Sequence, residues 1–438
     1  MSIRSDAVNT FTVQVFMLAA GLATSIVVAR TLGPEGKGLI SFLGYVLFVA
    51  TSLAALGLQP AAIQHLGKGR YPASVVAGTQ IILGLLAGIV CAVGCLLVLP
   101  LFAEQMQLAG WLLPLFLPVV VLALQRLNLS GILIGLGEIR LNNWIQATTP
   151  AAWMIGAIAV LWLGRGGAPA GAVAWMAAQA IAPALTLAWI LRRTPPTWRS
   201  LADCARSSLR FGAEAYLANL VWTVLIRSGG IILAYLSGAA MVGIYSIAIL
   251  MGEALWYLPR SLTTALNPRV AAGTQAEAMH LSLRAARTAL WLVIAVSAFL
   301  MLFGRLIITL VFGDAFAGSF PPLALLLPGI VAGSIASPIA LYFTQSKGRP
   351  RVNAGAAALG LVLSLVLDLL WIPPFGANGA AAALSLSYFL VAAIMAVQLR
   401  REPGFDWRAL LLIKREDLAL LRETAGEFLH RSIVRVRP

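Results

Sequence analysis

Apolar runs long enough to cross a lipid bilayer follow one another from one end of this 438-residue chain to the other, and no other feature constrains its folding as much. About 18 consecutive apolar residues suffice for a helix to span the hydrocarbon core. Runs bounded by charged, Pro or Gly residues fall at 9–29, 39–58, 74–100, 109–125, 143–163, 170–191, 211–236, 241–259, 288–312, 321–345, 353–373 and 379–398, which predicts twelve crossings. Lipid offers the backbone no hydrogen-bond partners and the runs are too long for barrel strands, so the crossings are expected to be helices. By length alone the chain would suggest about three soluble domains. With 60% hydrophobic and only 11% charged residues, it reads instead as one all-α polytopic membrane protein.

The basic residues set an orientation. With residue 1 inside, the inner segments carry 26 of the 31 Lys and Arg residues, and the outer loops carry three, Arg30, Lys37 and Arg165. Both termini are therefore expected on the cytoplasmic side of a bacterial inner membrane. The formal net charge of +15 does not point to nucleic acid, because the cations are spread as topology signals and form no patch interleaved with aromatics. The first run is longer than a typical secretory h-region and is expected to be retained.

Short matches recur at a nearly constant offset. "LGPEGKGLIS" (32–41) resembles "LSGAAMVGIYS" (236–246), pairing Gly38 and Ser41 with Gly243 and Ser246. Phe102 and Pro118 pair with Phe312 and Pro328, and Gly137, Arg140 and Asn142 pair with Gly348, Arg351 and Asn353. Offsets of 205 to 211 residues predict two six-helix bundles, 1–200 and 201–400, followed by a cytoplasmic tail, 401–438. Six crossings separate the copies, an even number, so they form a parallel repeat around a central cleft. The tail mixes apolar and charged positions and is expected to form an amphipathic helix against membrane lipids.

Catalytic chemistry finds little support. The outer loops are short and hold only Glu35, Glu104 and Asp314; the inner loops contain neither an Asp-x-Asp motif nor a phosphate-binding Gly-x-x-x-x-Gly-Lys-Ser/Thr loop. Cys91, Cys95 and Cys204 are expected to be structural thiols, and the three histidines are scattered. No catalytic residue, metal site or cofactor is predicted, and ATP-driven transport by this chain alone is disfavoured.

The charges inside the crossings are more informative, because one at the bilayer centre costs on the order of 2.5–3.5 kcal/mol. In the seventh run, at about 100° per residue, Tyr216, Asn219, Thr223, Arg227 and Gly230 fall on one narrow stripe, the face that a water-filled cavity would use. Glu214 lies on the opposite side, where snorkelling or capping is as good an account as function. In the eighth run Ser246, Glu253, Trp256 and Arg260 share a face. Glu253 is either a structural partner of Arg227 or Arg260, or a coupling or gating group. Asp368 lies near the outer end of the eleventh run, where an interfacial location competes with function, and Arg305 is read as snorkelling. Gln14, Gly21 and Ser25 form a small polar stripe on the first helix, consistent with lining a cleft or with close packing.

The stretch "VARTLGPEGKGLISF" resembles a signature of bacterial polysaccharide (Wzx-type) flippases of the multidrug/oligosaccharidyl-lipid/polysaccharide (MOP) superfamily. Residues 225–271, "TLVFGDAFAGSF" and "QSKGRPRVNAGAAALG" fit other parts of that family. The resemblance implies two bundles around a cationic cleft and movement of an undecaprenyl-diphosphate-linked oligosaccharide from the inner to the outer leaflet, with polysaccharide-assembly proteins as candidate partners. In members of that family an Asp often follows the helix 7 arginine; here Ser228 and Gly229 follow Arg227, which leaves its resting partner open. Tyr216, Asn219, Thr223, Arg227, Gln14 and Ser25 are then the expected substrate-binding residues, and Glu253, Asp368 and Glu214 the expected coupling or gating residues. A cation-coupled multidrug exporter of the same superfamily and a membrane glycan polymerase or ligase are the alternatives.

Overall fold

A computed structural model describes residues 3–198, 201–402 and 405–412, the side chains of Glu214 and several neighbours lying outside the described set. Its helices are α1 (Ile3–Ala54), α2 (Leu58–Gly67), α3 (Ala73–Val98), α4 (Leu112–Gly135), α5 (Ile139–Ala157), α6 (Ala168–Arg193), α7 (Leu201–Ala254), α8 (Tyr257–Ala272), α9 (Gln275–Phe312), α10 (Phe320–Ser334), α11 (Ala336–Leu341), α12 (Pro350–Phe375), α13 (Ala377–Arg400) and α14 (Trp407–Leu411). The described residues contain no strand. Of the expected tail helix only α14 is described, and residues 413–438 lie outside the described set.

Among the described residues ten apolar helical segments are long enough to cross a membrane, and two of them are double. The 52 residues of α1 would extend about 78 Å if straight, more than twice the ~30 Å hydrocarbon core. Gly33 breaks it with φ 65° and ψ −169°, a conformation that only glycine adopts at no steric cost, and Pro34 opens the next helix in a position that suits it. In α7, Gly238 does the same with φ 77° and ψ −177°. Ten segments thus make twelve crossings. Where the sequence predicts loops, at 30–38 and 237–240, the structure has a single glycine each time, so Arg30 and Lys37 lie on helices.

In the orientation expected from the basic residues, the Gly33 and Gly238 turns lie at the outer end. They stand 205 residues apart, the offset of the sequence repeat, and the packing around them is reciprocal. A Cβ on Gly38 would lie 1.8 Å from the carbonyl oxygen of Ala239, and one on Gly243 would lie 2.0 Å from that of Pro34. The same offset separates Pro34 from Ala239 and Gly38 from Gly243, so the two halves meet across a local two-fold at the outer end. Backbones at this distance require glycine on both sides. At the inner end Gly57 (φ 66°) packs on Gly212, where an added Cβ would lie 2.4 Å from the partner's Cα.

Around the α1–α7 pair, α3 to α6 pack on one another in the first half and α9, α10, α12 and α13 in the second. Arg30 ties the halves at the outer end, its guanidinium donating through Nε to the carbonyl of Val311 at 2.8 Å and through Nη2 to that of Leu310.

Candidate functional site

Where α1 and α7 diverge between their two contact points, a cavity of about 320 Å³ opens at mid-depth. Both limbs of α1, both limbs of α7, and Trp153 of α5 and Trp175 of α6 form its wall. Arg227 projects into it from α7. Its two terminal nitrogens form a fork with the Glu253 carboxylate, Nη1 to Oε1 at 2.7 Å and Nη2 to Oε2 at 3.0 Å. A bidentate pair of this kind is directional and charge-assisted. Tyr45 and Phe48 of α1 present their rings 5.5 and 5.3 Å from the guanidinium carbon, so the first half contributes cation–π contacts to a charge carried by the second. Tyr45 reaches that position because Gly230 has no side chain, and a Cβ there would fall 2.6 Å from the ring.

The sequence leaves the partner of Arg227 open with Glu253 as a candidate, and the geometry makes Glu253 its partner. The first limb of α7 carries no second carboxylate near Arg227, so the acid has to come from beyond the Gly238 turn. The pair is not sealed, its side chains being 17% and 33% exposed, so both remain reachable from the cavity.

Two further cations line this space. Lys37, expected in an outer loop, lies on α1 and enters the same cavity, with no ion-pair partner among the described residues. Arg126, expected in an inner segment, lies within α4, because the helix runs on to Gly135. It lines an adjoining cavity of about 250 Å³ that shares Trp153 and Trp175 with the first, and it donates to Gln146. Gln146, Thr149 and Gln179 add polar groups there. Across the two cavities stand three cations, Lys37, Arg126 and Arg227, and one carboxylate, Glu253. Such a chamber suits a polyanion.

The remaining expected residues divide. Ser25 lines the main cavity and its buried hydroxyl has no hydrogen-bond partner; Gly21 and Ser246 line it too. Gln14 is exposed and lines neither cavity. Tyr216, Asn219 and Thr223 are not in the cavity walls either. Tyr216 hydrogen-bonds Ser52 and Asn219 nearer the inner end, and Thr223 is buried. Asn219 is exposed, and of this stripe only the Arg227 level opens onto the cavity. Glu214 lies outside the described set. Trp256, expected beside Glu253, packs instead against Trp222 and Tyr388.

Asp368 is not interfacial. It is fully buried, 0% exposed, beneath Gly229 of α7, where an added Cβ would come within 3.2 Å of its Oδ1. Ser364, one turn earlier on α12, donates to Oδ2 at 3.3 Å, and Oδ1 has no hydrogen-bond partner. No group of His, Cys, Asp and Glu able to hold a metal ion occurs among the described residues.

Known proteins place this architecture. Residues 27–321 match the family model Polysacc_synt_3, described as polysaccharide biosynthesis protein, while no curated protein matches significantly by sequence. The fold is similar to that of the lipid II flippase MurJ in an inward closed conformation, with a TM-score of 0.77 at 14% identity over 94% of this chain and 91% of that one. A multidrug resistance MATE family transporter of the MOP superfamily matches at 0.69 when inward-facing, with 17% identity over 90% of this chain and 97% of that one. An outward-facing structure of the same description matches at 0.60, with 17% identity over 90% and 92%. With its matched region spanning more than half its length, the chain belongs to the polysaccharide biosynthesis protein family and has the fold of the MOP superfamily.

Proposed function

We propose that the protein is a flippase that carries a polyprenyl-diphosphate-linked oligosaccharide from the cytoplasmic to the outer leaflet by alternating access. The observation that carries this reading is the excess of cations in a chamber between two repeated halves, with Arg227 at mid-depth and Lys37 one turn from the outer Gly33 turn. A diphosphate crossing the bilayer needs compensation at mid-depth, and guanidinium binds phosphate oxygens with matched geometry. Arg227, already oriented by Glu253 and the two rings, exchanges its carboxylate for the diphosphate, while Lys37 and Arg126 receive the remaining charge. Ser25 and the Gln146–Gln179 group offer hydrogen bonds to the head group. The two bundles, 1–200 and 201–400, are the rocking units, with Gly38 and Gly243 at the outer contact and Gly57 and Gly212 at the inner. Asp368, buried with one oxygen unsatisfied, and Glu253 are the coupling residues.

The test is complementation of a surface-polysaccharide strain lacking this protein. Arg227→Ala abolishes export and lipid-linked intermediate accumulates on the inner leaflet, whereas Arg227→Lys retains part of it. Wild-type export by the Ala variant would remove the proposal. A multidrug exporter is the second reading, supported by the likeness to MATE transporters. A chamber with three cations and one carboxylate opposes it, since such a site repels cationic drugs.

A further inference from the structure

On the far side of the α1–α7 seam from the charged chamber lies a groove of about 700 Å³, walled by α1, α3 and α7 and almost wholly apolar. It follows α3 from Leu83 to Phe102, about 29 Å of helix, against a hydrocarbon core of about 30 Å. The acyl chain of a phospholipid reaches through its own leaflet, roughly half that depth. A groove of full depth therefore fits a chain that crosses the midplane.

A single layer of side chains separates the groove from the charged site. On α1, Tyr45 and Phe48 face Arg227 while their neighbours Val46 and Val49 line the groove. On α7, Ile231 lines the groove one turn beyond Arg227. Once that seam parts, one amphiphile with a polyanionic head and a long hydrocarbon chain can occupy both of its sides. Gly94 leaves room along the groove, because a Cβ there would meet nothing within 4 Å.

We infer that the α1–α3–α7 groove is a binding site for the long polyprenyl chain of the substrate, held there while the head group is in the chamber. This rests on the flippase reading for the identity of the chain. Burial of apolar carbon contributes about 0.8 kcal/mol per CH₂ relative to water, but a chain already in lipid gains little of that. The groove therefore acts by position rather than by strong affinity.

The experiment uses the full-length protein in phospholipid nanodiscs with undecaprenyl phosphate bearing a diazirine near the end of its chain. After irradiation, adducts are expected on peptides containing residues 83–98. Excess unlabelled undecaprenyl phosphate removes them; farnesyl phosphate or added phosphatidylglycerol does not. Gly94→Phe, which fills the groove without displacing backbone, should lose the adducts and export while the purified protein stays monodisperse. Adducts that phosphatidylglycerol removes equally, adducts mapping only elsewhere, or labelling unchanged by Gly94→Phe would each overturn the inference. If Gly94→Phe does not fold, competition in the wild-type protein decides alone. The two readings fail separately: export by Arg227→Ala with labelling intact sinks the flippase reading and leaves a polyprenyl site, whereas loss of export by Arg227→Ala with no labelling of α3 sinks only the groove.

Discussion

In the first half, the turn at Gly33 leads into a helix limb that carries Lys37, Tyr45 and Phe48 to the chamber; in the second, the equivalent turn at Gly238 leads into a limb that carries Ser246 and Glu253. The backbone has been kept and the charges have not. Moving back by the repeat offset of 205, Glu253 becomes Phe48 and Arg227 becomes Leu22. Both members of the first pair still meet the same guanidinium, Phe48 with its ring face at 5.3 Å and Glu253 with its carboxylate at 2.7 Å. Duplication supplied two equivalent positions around one cation, and their side chains diverged into an apolar lid and an exchangeable partner. In the proposed flippase cycle, symmetric contacts serve the motion and asymmetric ones the ligand.

Symmetric positions should therefore respond alike and asymmetric ones should not. The largest effect is expected from Gly243→Val and Gly38→Val. Each places carbon within about 2 Å of a carbonyl oxygen in the other half, which no side-chain rotation can relieve, so both variants should lose the outer-closed state and export to the same degree. Cysteine cross-linking of the outer contact measures this, and a large difference between the two would break the local two-fold. Next, Lys37→Ala should lower export about tenfold, the loss of one hydrogen bond to a charged group, and Val242→Lys, at the repeat-equivalent position, should not restore it; a rescue would show that charge matters more than place.

Glu253→Gln is expected to have a mixed effect. Without a competing carboxylate Arg227 should bind the head group more tightly, while release slows and turnover falls; titration with a soluble diphosphate analogue beside an export assay separates the two. Asp368→Asn should leave the fold intact, since the group has no charged partner among the described residues to lose, and should alter the dependence of export on the ion gradient. The smallest effect is expected at the inner surface, where Lys347 pairs with Glu402 at 2.6 Å. The ion pair raises the Lys347 pKa above its ordinary value, so its contribution is present at neutral pH and is lost only as pH rises through the raised value. Lys347→Ala should lower stability by about 1–2 kcal/mol, because it leaves the largely buried Glu402 carboxylate with the Tyr342 hydroxyl and Arg349 as its remaining partners.

Much of this is legible in the sequence. Twelve crossings, the repeat and Arg227 as the central charge follow from run length, punctuation and a helical wheel, because these depend on local order alone. What is not legible depends on where one helix stands beside another. Composition puts Lys37 in a loop because a reversal of two helices at one glycine looks, residue by residue, like the nine residues of a loop, 30–38. Arg126 falls outside the expected membrane span because "QRLN" interrupts an apolar run; in the structure the helix continues through it, the Gln125 amide nitrogen donating to the Ile81 carbonyl at 2.8 Å while its oxygen has no hydrogen-bond partner. The wheel groups Gln14 with Ser25 but cannot say that Ser25 reaches the cavity and Gln14 does not. Asp368 carries a signal of its own. Ser364 one turn earlier and the space left by Gly229 on another helix mark a buried carboxyl, although only the packing brings that glycine and the carboxyl together.

The guanidinium of Arg30 binds main-chain oxygens of Leu310 and Val311 in the final turn of α9, where the helix dipole also favours a cation. Such a clasp is blind to what α9 carries at those positions and responds only to where α9 stops. Point substitutions along α9 can drift freely without unfastening it, while the gain or loss of a single residue before Gly313 would rotate the terminal carbonyls away from Arg30. Tolerance to substitution combined with intolerance to changes of length is thus built into the outer closure of this protein.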